Sequence, residues 1–173
     1  MTRLTDCIAM MDEGMGRIET AIPGTPRVEI TLLRMLLMVG MRLQCELSHK
    51  LKPHKLNDSE FLVLACLLSR PDGSSTPGEL CEHTAQGATN MTRIANALVK
   101  RGLVARAASR EDRRRVVVRL TAAGRCLVQT LLPSIYTQVF PTFEGISSRD
   151  KQTMNRILRG LARNLDDLAA ADV

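Results

Sequence analysis

The arginine-rich segment at residues 103–120, LVARAASREDRRRVVVRL, carries the side chains best suited to bind a charged ligand. Six arginines and two acidic residues lie within residues 106–119, whereas the whole chain of 173 residues has a net charge of only +6. Guanidinium groups are permanently charged donors whose planar shape matches phosphate oxygens. The segment is therefore predicted to bind a polyanion.

The residues around these arginines predict a two-stranded hairpin with a charged tip. Along the second strand, Val116, Val118 and Leu120 are predicted to face inward. They alternate with Arg115, Val117 and Arg119, which are predicted to face outward. Leu103 and Val104 begin the opposing strand. An isolated hairpin is only marginally stable in water, so this one must pack on a helical body.

Two short helices are predicted directly before the hairpin. Thr76 and Glu79 form a capping box that opens a helix over 77–84. A tight AQGAT turn leads to a second helix over 89–101, which ends at Gly102. This order matches the helix-turn-helix pattern.

The second of these helices has an apolar face and a polar face. The apolar side chains are Met91, Ile94, Ala95 and Leu98. The polar ones are Thr89, Arg93, Asn96 and Lys100, with Gln86 and Asn90 near the N-terminal edge. Such side chains hydrogen-bond base edges or phosphates in a major groove. A plain solvated face is the alternative for this helix alone, but its position between a capped helix and an arginine hairpin favours DNA.

Long apolar helices are predicted on both sides of this unit. The helix over 28–52 is apolar on more than one face, and a chain of this length offers little to cover it. The last helix carries a leucine-rich stripe, Met154, Ile157, Leu158, Leu161, Leu165 and Leu168. We therefore predict a partner subunit, and four segments: an N-terminal extension (1–27), a dimerisation helix (28–52), a DNA-binding lobe (57–120) and C-terminal dimerisation helices (121–173).

Several other classes of protein are disfavoured. Arg34 and Arg42 interrupt the longest apolar run before it reaches the ~18 residues of a membrane span. Acidic residues replace the apolar core of a signal peptide, so a cytoplasmic protein without a membrane partner is expected. The sequence contains no phosphate-binding glycine loop, no HExxH and no GxSxG, which argues against an enzyme. The histidines are scattered, and neither a metal nor a cofactor is expected.

The five cysteines are widely spaced and include no CxxC pair, which argues against a zinc site or a disulfide framework. Buried cysteines acting as small apolar residues are the simpler interpretation. A redox-sensing thiol is the alternative, with Cys7 as its candidate because the N-terminal segment is expected to be exposed.

Residues 57–132 resemble the MarR family of winged helix-turn-helix transcription regulators. The resemblance is carried by residues 92–124, TRIANALVKRGLVARAASREDRRRVVVRLTAAG: the initial TR, KRGLV after the second helix, DRR in the hairpin and LTxxG after it. The N-terminal extension and the 28–52 helix look most like the EmrR/MprA multidrug-efflux repressor branch. The resemblance implies a mainly α fold with a small β-hairpin wing, assembled as an obligate homodimer through the N- and C-terminal helices.

The resemblance also implies roles for single residues. The polar helix face would enter the major groove, with Gln86, Thr89, Asn90 and Arg93 nearest the bases. Arg110 or Arg113 at the wing tip would lie in the flanking minor groove, whose negative potential attracts arginine. Asp112 and Arg114 would brace the wing, which leaves Arg113 and Arg115 for phosphates.

Many members of the family bind a small aromatic or phenolic anion between the dimer helices and the DNA-binding lobe. Here Arg34 and Arg42 would pair with a carboxylate while Met38 and Met41 pack against a ring. Intersubunit salt bridges and core methionines are the alternative interpretation of these four residues.

The predicted function is a sequence-specific transcription regulator that binds double-stranded DNA at a pseudo-palindromic operator. We expect a repressor that a small aromatic or phenolic ligand releases, and that controls efflux or aromatic-compound catabolism genes. The alternatives are a redox-switched regulator of the same fold and a sequence-independent DNA-packing protein.

Overall fold

The chain folds into helices and one small sheet, as predicted. The structure is a computed structural model that describes residues 3–108 and 115–171, with the backbone but not the side chains of 138–140. Its helices are α1 (Leu4–Ala21), α2 (Arg27–Leu51), α3 (Asp58–Ser69), α4 (Pro77–Thr84), α5 (Ala88–Lys100), α6 (Ala122–Thr142) and α7 (Ser148–Ala171). Its strands are β1 (Ser74–Ser75), β2 (Val104–Ala108) and β3 (Val116–Leu120).

Local capping explains where the central helices begin. The Asn57 side chain accepts from the Glu60 backbone N–H at 2.9 Å, and the Glu60 carboxylate accepts from the Asn57 N–H at 3.1 Å. The same reciprocal pair forms between Thr76 and Glu79 at the start of α4, which confirms the predicted capping box. Each box satisfies backbone donors that the first turn of a helix leaves without partners.

The sheet contains one strand more than the predicted hairpin. The strand order is β1-β3-β2, all antiparallel, and Ser74 and Ser75 pair with Arg119 and Val118. These two serines belong to the segment RPDGSS, which has the composition of a loop. A two-residue strand has no periodicity of its own, because the pairing with β3 alone defines it.

The strict alternation predicted along β3 is wrong at two positions. Val117, assigned to the outer face, is only 6% exposed, whereas Val116, assigned to the inner face, is 54% exposed. Val116 pairs with Ala108 at the open end of the ladder, beside the hairpin tip. Val117 lies one residue further into the middle strand of the sheet, where it is buried.

The described contacts divide the chain into two compact units, Met1–Leu132 and Pro133–Val173. The core of the first unit contains side chains from α1 to the first half of α6, including Met15, Leu51, Val63, Leu64, Leu67, Leu80, Met91, Ile94, Leu98, Val104, Val118, Val128 and Leu131. The second unit contains the end of α6 and all of α7. Helix α6 continues through Pro141 to Thr142, because a proline near a helix end removes only one ladder hydrogen bond.

Large apolar side chains of α2 and α7 face solvent in the single chain. In α2 only Leu51 is buried, and Val28, Leu32, Leu33, Leu36, Leu37, Val39, Met41 and Leu43 are exposed. In α7 the whole predicted stripe is exposed: Met154, Ile157, Leu158, Leu161, Leu165 and Leu168. Within the described ranges, none of the helices is both long and apolar enough to cross a membrane.

The cysteines are not buried, which corrects the simpler of the two interpretations. Cys45 and Cys126 are exposed, and the other three cysteines are partly exposed. Cys45 lies on α2 among the apolar side chains that lack cover in one chain. Cys7, the predicted redox candidate, is less exposed than these two because α1 packs on α2.

Candidate nucleic-acid interface

Helix α5 packs its predicted apolar stripe into the core and leaves its polar face in solvent. Met91, Ile94, Ala95 and Leu98 are all buried. The helix follows a tight turn in which Ala85 adopts a left-handed conformation, with φ of 50°. Burial of the stripe fixes the rotation of α5 about its axis, so Thr89, Arg93, Asn96 and Lys100 are all exposed.

Three of the predicted DNA-binding residues form a hydrogen-bonded series. The Asn90 side-chain amide donates to the side-chain oxygen of Gln86. Asn90 Oδ1 in turn accepts from Arg93 Nη2 at 2.8 Å and from Arg93 Nε at 3.2 Å. Asn90 therefore holds the guanidinium of Arg93 in one orientation on the exposed face.

Asn96 connects α5 to the hairpin. Its Oδ1 accepts from Arg106 Nη2, on β2, at 2.6 Å. Arg106 was counted in the arginine-rich segment but not assigned to the site. Val104 is buried and lies two residues before Arg106, so period 2 along β2 could have placed this arginine on the side facing α5.

The base of the hairpin is fixed where two of the motifs meet. The Thr121 hydroxyl, from LTxxG, donates to the backbone carbonyls of Gly102 and Leu103, from KRGLV, at 2.7 and 3.0 Å. It also accepts from the Gly124 N–H at 3.0 Å, which caps α6. A Cβ at Gly124 would lie 2.0 Å from the Leu103 carbonyl oxygen, so only glycine allows this approach.

Arg119 braces the other edge of the sheet and does not point freely into solvent. Its Nη1 donates to the Asp72 carbonyl at 3.3 Å, and its Nη2 lies 3.7 Å from the Asp72 carboxylate. The Ser74 hydroxyl and backbone N–H both donate to that carboxylate and lower the pKa of Asp72, and Arg119 lowers it further. This charged group fixes the turn that precedes β1.

Glu79 holds the start of α4 against β1. The buried Ser75 hydroxyl donates to Glu79 Oε2 at 2.7 Å, and the Thr76 N–H donates to the same oxygen at 3.1 Å. Both hydrogen bonds lower the pKa of Glu79, with a further contribution from Arg70. The first helix of the helix-turn-helix is thus tied to the sheet through an ionised carboxylate.

Arg101, at the C-terminal end of α5, was not assigned a role from the sequence. Its guanidinium donates to the carbonyls of Lys55 and His54, 46 and 47 residues earlier, at 2.7 and 2.9 Å. The local signal for such a contact is the pair of basic residues, Lys100 and Arg101, at the helix C-terminus. The partners are backbone atoms, which a sequence pattern does not reveal.

The wing tip lies outside the described residues. Of the predicted wing residues, Arg110, Asp112, Arg113 and Arg114 all fall there. Arg115 is described and exposed, directly before β3. In the described part of the wing, Arg106 contacts the polar face of α5 through Asn96, and Arg115 is an exposed cation at the start of β3.

The four residues assigned to an effector all lie on α2. Arg34 and Met41 are exposed and Met38 is partly exposed. Arg42 pairs with Glu46 on its own helix, with Nη2 to Oε1 at 2.8 Å. Across the described ranges, no three or more His, Cys, Asp or Glu side chains cluster as metal ligands would.

The arrangement can bind an anionic, hydrogen-bonding polymer. Arginine, lysine, asparagine and threonine project from one face of a helix, and further arginines lie on the adjoining strands. These are the donors and acceptors that contact phosphates and base edges in DNA complexes.

Comparison with known proteins identifies the family to which the chain belongs. The family model described as MarR family matches residues 54–115. The transcriptional repressor MprA of Escherichia coli K12 is 31% identical over 143 residues, which cover 83% of this chain and 81% of MprA. This relative confirms the predicted likeness to the MprA branch.

Solved structures show the same fold. AbsC, a MarR family regulator from Streptomyces coelicolor, superposes with a TM-score of 0.75 at 21% identity, covering 81% of this chain and 95% of AbsC. BpsR of Bordetella bronchiseptica, whose DNA binding is regulated by 6-hydroxynicotinic acid, gives 0.65 at 24% identity, covering 75% and 91%. The relatives are transcription regulators and not enzymes, as predicted. The chain belongs to the MarR family of winged helix-turn-helix transcription regulators.

Proposed function

We propose that this regulator is a homodimeric repressor that binds a pseudo-palindromic operator and leaves it when a small aromatic or phenolic anion binds. The observation that carries the proposal is the oriented guanidinium of Arg93 on the exposed face of α5, which we name the recognition helix. As a protein acting on chromosomal DNA, it belongs in the cytoplasm.

Arg93 is suited to direct base contact. Two of its five N–H groups donate to Asn90, and among the described residues none accepts from the others. An arginine held in this way keeps donors for the O6 and N7 atoms of guanine, the commonest specific contact in the major groove. Asn90 fixes its direction before DNA arrives, which reduces the entropy lost on binding.

The other proposed DNA contacts surround Arg93. We assign base or phosphate contacts to Gln86, Thr89, Asn90, Asn96, Lys100 and Arg115, and wing contacts to Arg110 and Arg113. Asp112 and Arg114 would brace the wing. We assign DNA binding to the segment 57–120, and dimerisation to 28–52 and 121–173.

The exposed apolar side chains of α2 and α7 support the homodimer. Exposed apolar surface of this extent on a single helix marks an interface, and each of the two helices has it. A two-fold dimer presents two recognition helices to successive major grooves, so its operator has matching half-sites.

An effector site on α2 is supported by the chemistry of its residues. Arg34 supplies an exposed cation, and Met38 and Met41 supply polarisable side chains that pack well against a ring. Arg42 would exchange its partner Glu46 for a ligand carboxylate. BpsR responds to an aromatic acid, and by analogy we assign this regulator to efflux or aromatic-compound catabolism genes.

The proposal is tested by selecting a duplex from a random-sequence library with the wild-type protein and measuring its affinity over a range of salt concentrations. We expect the selected duplex to bind at least about a thousandfold more tightly than a scrambled one, with a steep loss of affinity as salt rises. Arg93→Ala should lower affinity for the selected duplex by about tenfold or more.

Arg17→Ala, an exposed arginine of α1, is the matched control and should leave the affinity unchanged. Addition of 6-hydroxynicotinic acid or related aromatic carboxylates should weaken binding by the wild-type protein. Failure of the library to yield any preferred duplex would contradict the proposed function. A preferred duplex whose affinity no aromatic acid changes would remove the effector alone.

A further inference from the structure

We propose that Arg101 is a positioning residue for DNA binding, because it fixes the C-terminal end of the recognition helix to the turn that ends α2. The inference rests on the proposed function, because it states that Arg101 controls the direction in which α5 approaches DNA.

The guanidinium of Arg101 joins segments that are distant in the chain. Its Nη1 donates to the Lys55 carbonyl at 2.7 Å and its Nη2 to the His54 carbonyl at 2.9 Å. The Arg101 side chain is 30% exposed, so water only partly competes for these bonds. Two bonds from one planar group to two successive carbonyls fix its orientation as well as its position.

The turn that accepts these bonds is itself fixed to α2. A short 3-10 turn, Lys52–His54, continues directly from the end of α2, and Lys55 then adopts a left-handed conformation with φ of 54°. The Leu56 N–H donates to the Leu51 carbonyl at 3.3 Å, and the side chains of Leu51 and Leu56 are both buried. A displacement of this end of α2 would therefore carry the two carbonyls with it.

The start of α3 meets the same guanidinium. Glu60 Oε2 lies 3.6 Å from Arg101 Nη1, and the same oxygen caps α3 by accepting from the Asn57 N–H. The Glu60 side chain is only 11% exposed, so the attraction is less screened than at the surface. Arg101 thus holds together the ends of α2, α3 and α5.

The position of Arg101 at the C-terminal end of α5 explains why this contact should affect DNA binding. It directly follows Lys100, on the helix that also carries Arg93 and Asn96. If the contact is lost, the C-terminal end of α5 can shift relative to α2, and its side chains no longer meet base edges in register. The contact also provides a route by which a change along α2 reaches the recognition helix.

The test uses four variants of the full-length dimer and two duplexes, one selected by the wild-type protein and one scrambled. Arg101→Met removes the charge and the paired donors, and Arg101→Lys keeps the charge but cannot hold two carbonyls with a planar fork. Lys100→Met serves as the comparison for a phosphate contact, and Arg17→Met controls for the loss of a distant charge. Affinity is measured over a range of salt concentrations, alongside the melting temperature.

We expect both Arg101 variants to bind the selected duplex about tenfold more weakly, a typical coupling factor, with unchanged affinity for the scrambled duplex. The slope of log affinity against log salt should stay at its wild-type value in Arg101→Met, whereas Lys100→Met should reduce it by about one. Arg17→Met should match the wild-type protein in both respects.

Three results would overturn the inference. Wild-type affinity in Arg101→Lys would show that charge alone matters, and a reduced salt slope in Arg101→Met would show a direct phosphate contact. A lower melting temperature with unchanged affinity for the selected duplex would leave only a structural role. If Arg101→Met does not fold, the affinity of Arg101→Lys for the selected duplex decides whether the inference holds. If the wild-type protein selects no duplex, that result contradicts the proposed function and not the role of Arg101.

Discussion

At the scale of single residues, carboxylates act here as fixed acceptors for backbone and hydroxyl donors. Glu79 accepts from the Ser75 hydroxyl and the Thr76 N–H, and Asp72 accepts from Ser74. These bonds belong to the folded state and are stronger with the ionised carboxylate than with the protonated acid. The folded protein therefore favours ionisation of both groups more than the unfolded chain does.

This preference predicts that acid destabilises the part of the chain that contains α4 and the sheet. Because the folded-state pKa values of Asp72 and Glu79 lie below their ordinary values of 3.8 and 4.5, the stabilisation is complete above those values. It is lost as the pH falls through the lowered pKa values. We expect Glu79→Gln to lower stability at neutral pH and to flatten its decrease below about pH 4.5, as measured by urea unfolding at a series of pH values.

Glu82→Gln is the matched control, since Glu82 is an exposed glutamate of the same helix outside the capping box. It should unfold with the pH dependence of the wild-type protein. An unchanged acid dependence in Glu79→Gln would show that the bond to Ser75 contributes nothing to the folded state.

At the scale of elements, the hairpin depends on a close backbone contact at its base. The Leu103 carbonyl faces Gly124 at the start of α6, and Thr121 bonds to both segments. This contact explains why both motifs are needed. KRGLV supplies the carbonyls of Gly102 and Leu103, and LTxxG supplies the Thr121 hydroxyl and, at Gly124, the absence of a Cβ. The base of the hairpin is thereby joined to the end of α5 and to the start of α6.

Gly124→Ala should therefore be strongly destabilising. Its Cβ would meet a backbone oxygen, which cannot rotate away as a flexible side chain would, and overpacking of this kind costs about 1–3 kcal/mol. Urea denaturation of the purified variant measures the loss. Gly78→Ala, which places a Cβ in open space near the start of α4, should be neutral or slightly stabilising, and equal effects of the two substitutions would contradict the argument.

The elements that the sequence predicted are those specified locally. The capping box at Thr76, the apolar stripe of α5 and the glycine at position 102 each depend on neighbours a few residues away. The unpredicted features all depend on pairing between distant segments: β1 forms only against β3, Val117 is buried by its place in the sheet, and Arg101 bonds to backbone carbonyls. In the site, Arg93 was predicted from helix periodicity. Arg106 was left unassigned, although period 2 along β2 could have placed it on the side facing α5.

At the scale of the whole molecule, the folded chain leaves much apolar surface uncovered. Leu165 is 66% exposed and Leu168 is 63% exposed, on a helix with no buried residue. Side chains of this kind stabilise an assembly when a second subunit covers them. The stability of such a protein depends on its concentration, because unfolding and dissociation are linked.

Leu165→Glu should shift the protein from dimer to monomer. A glutamate buried at an interface without a partner should weaken dimerisation by at least about 30-fold, the effect of losing a contact worth about 2 kcal/mol. Sedimentation velocity over a range of protein concentrations measures the shift. Gln152→Glu adds the same charge on the opposite side of α7 and should remain dimeric, and a Leu165→Glu variant that also remains dimeric would exclude this part of α7 from the interface.

The apolar residues of α2 and α7 lie on different helices from the proposed DNA contacts of α5, and this separation has a genetic consequence. A copy impaired at Arg93 would keep the surfaces through which chains pair, so it would combine with intact copies in the same cell. Each mixed dimer would recognise only one half of the operator. Such an allele would behave as dominant over the intact gene, whereas an allele that abolishes pairing would be recessive.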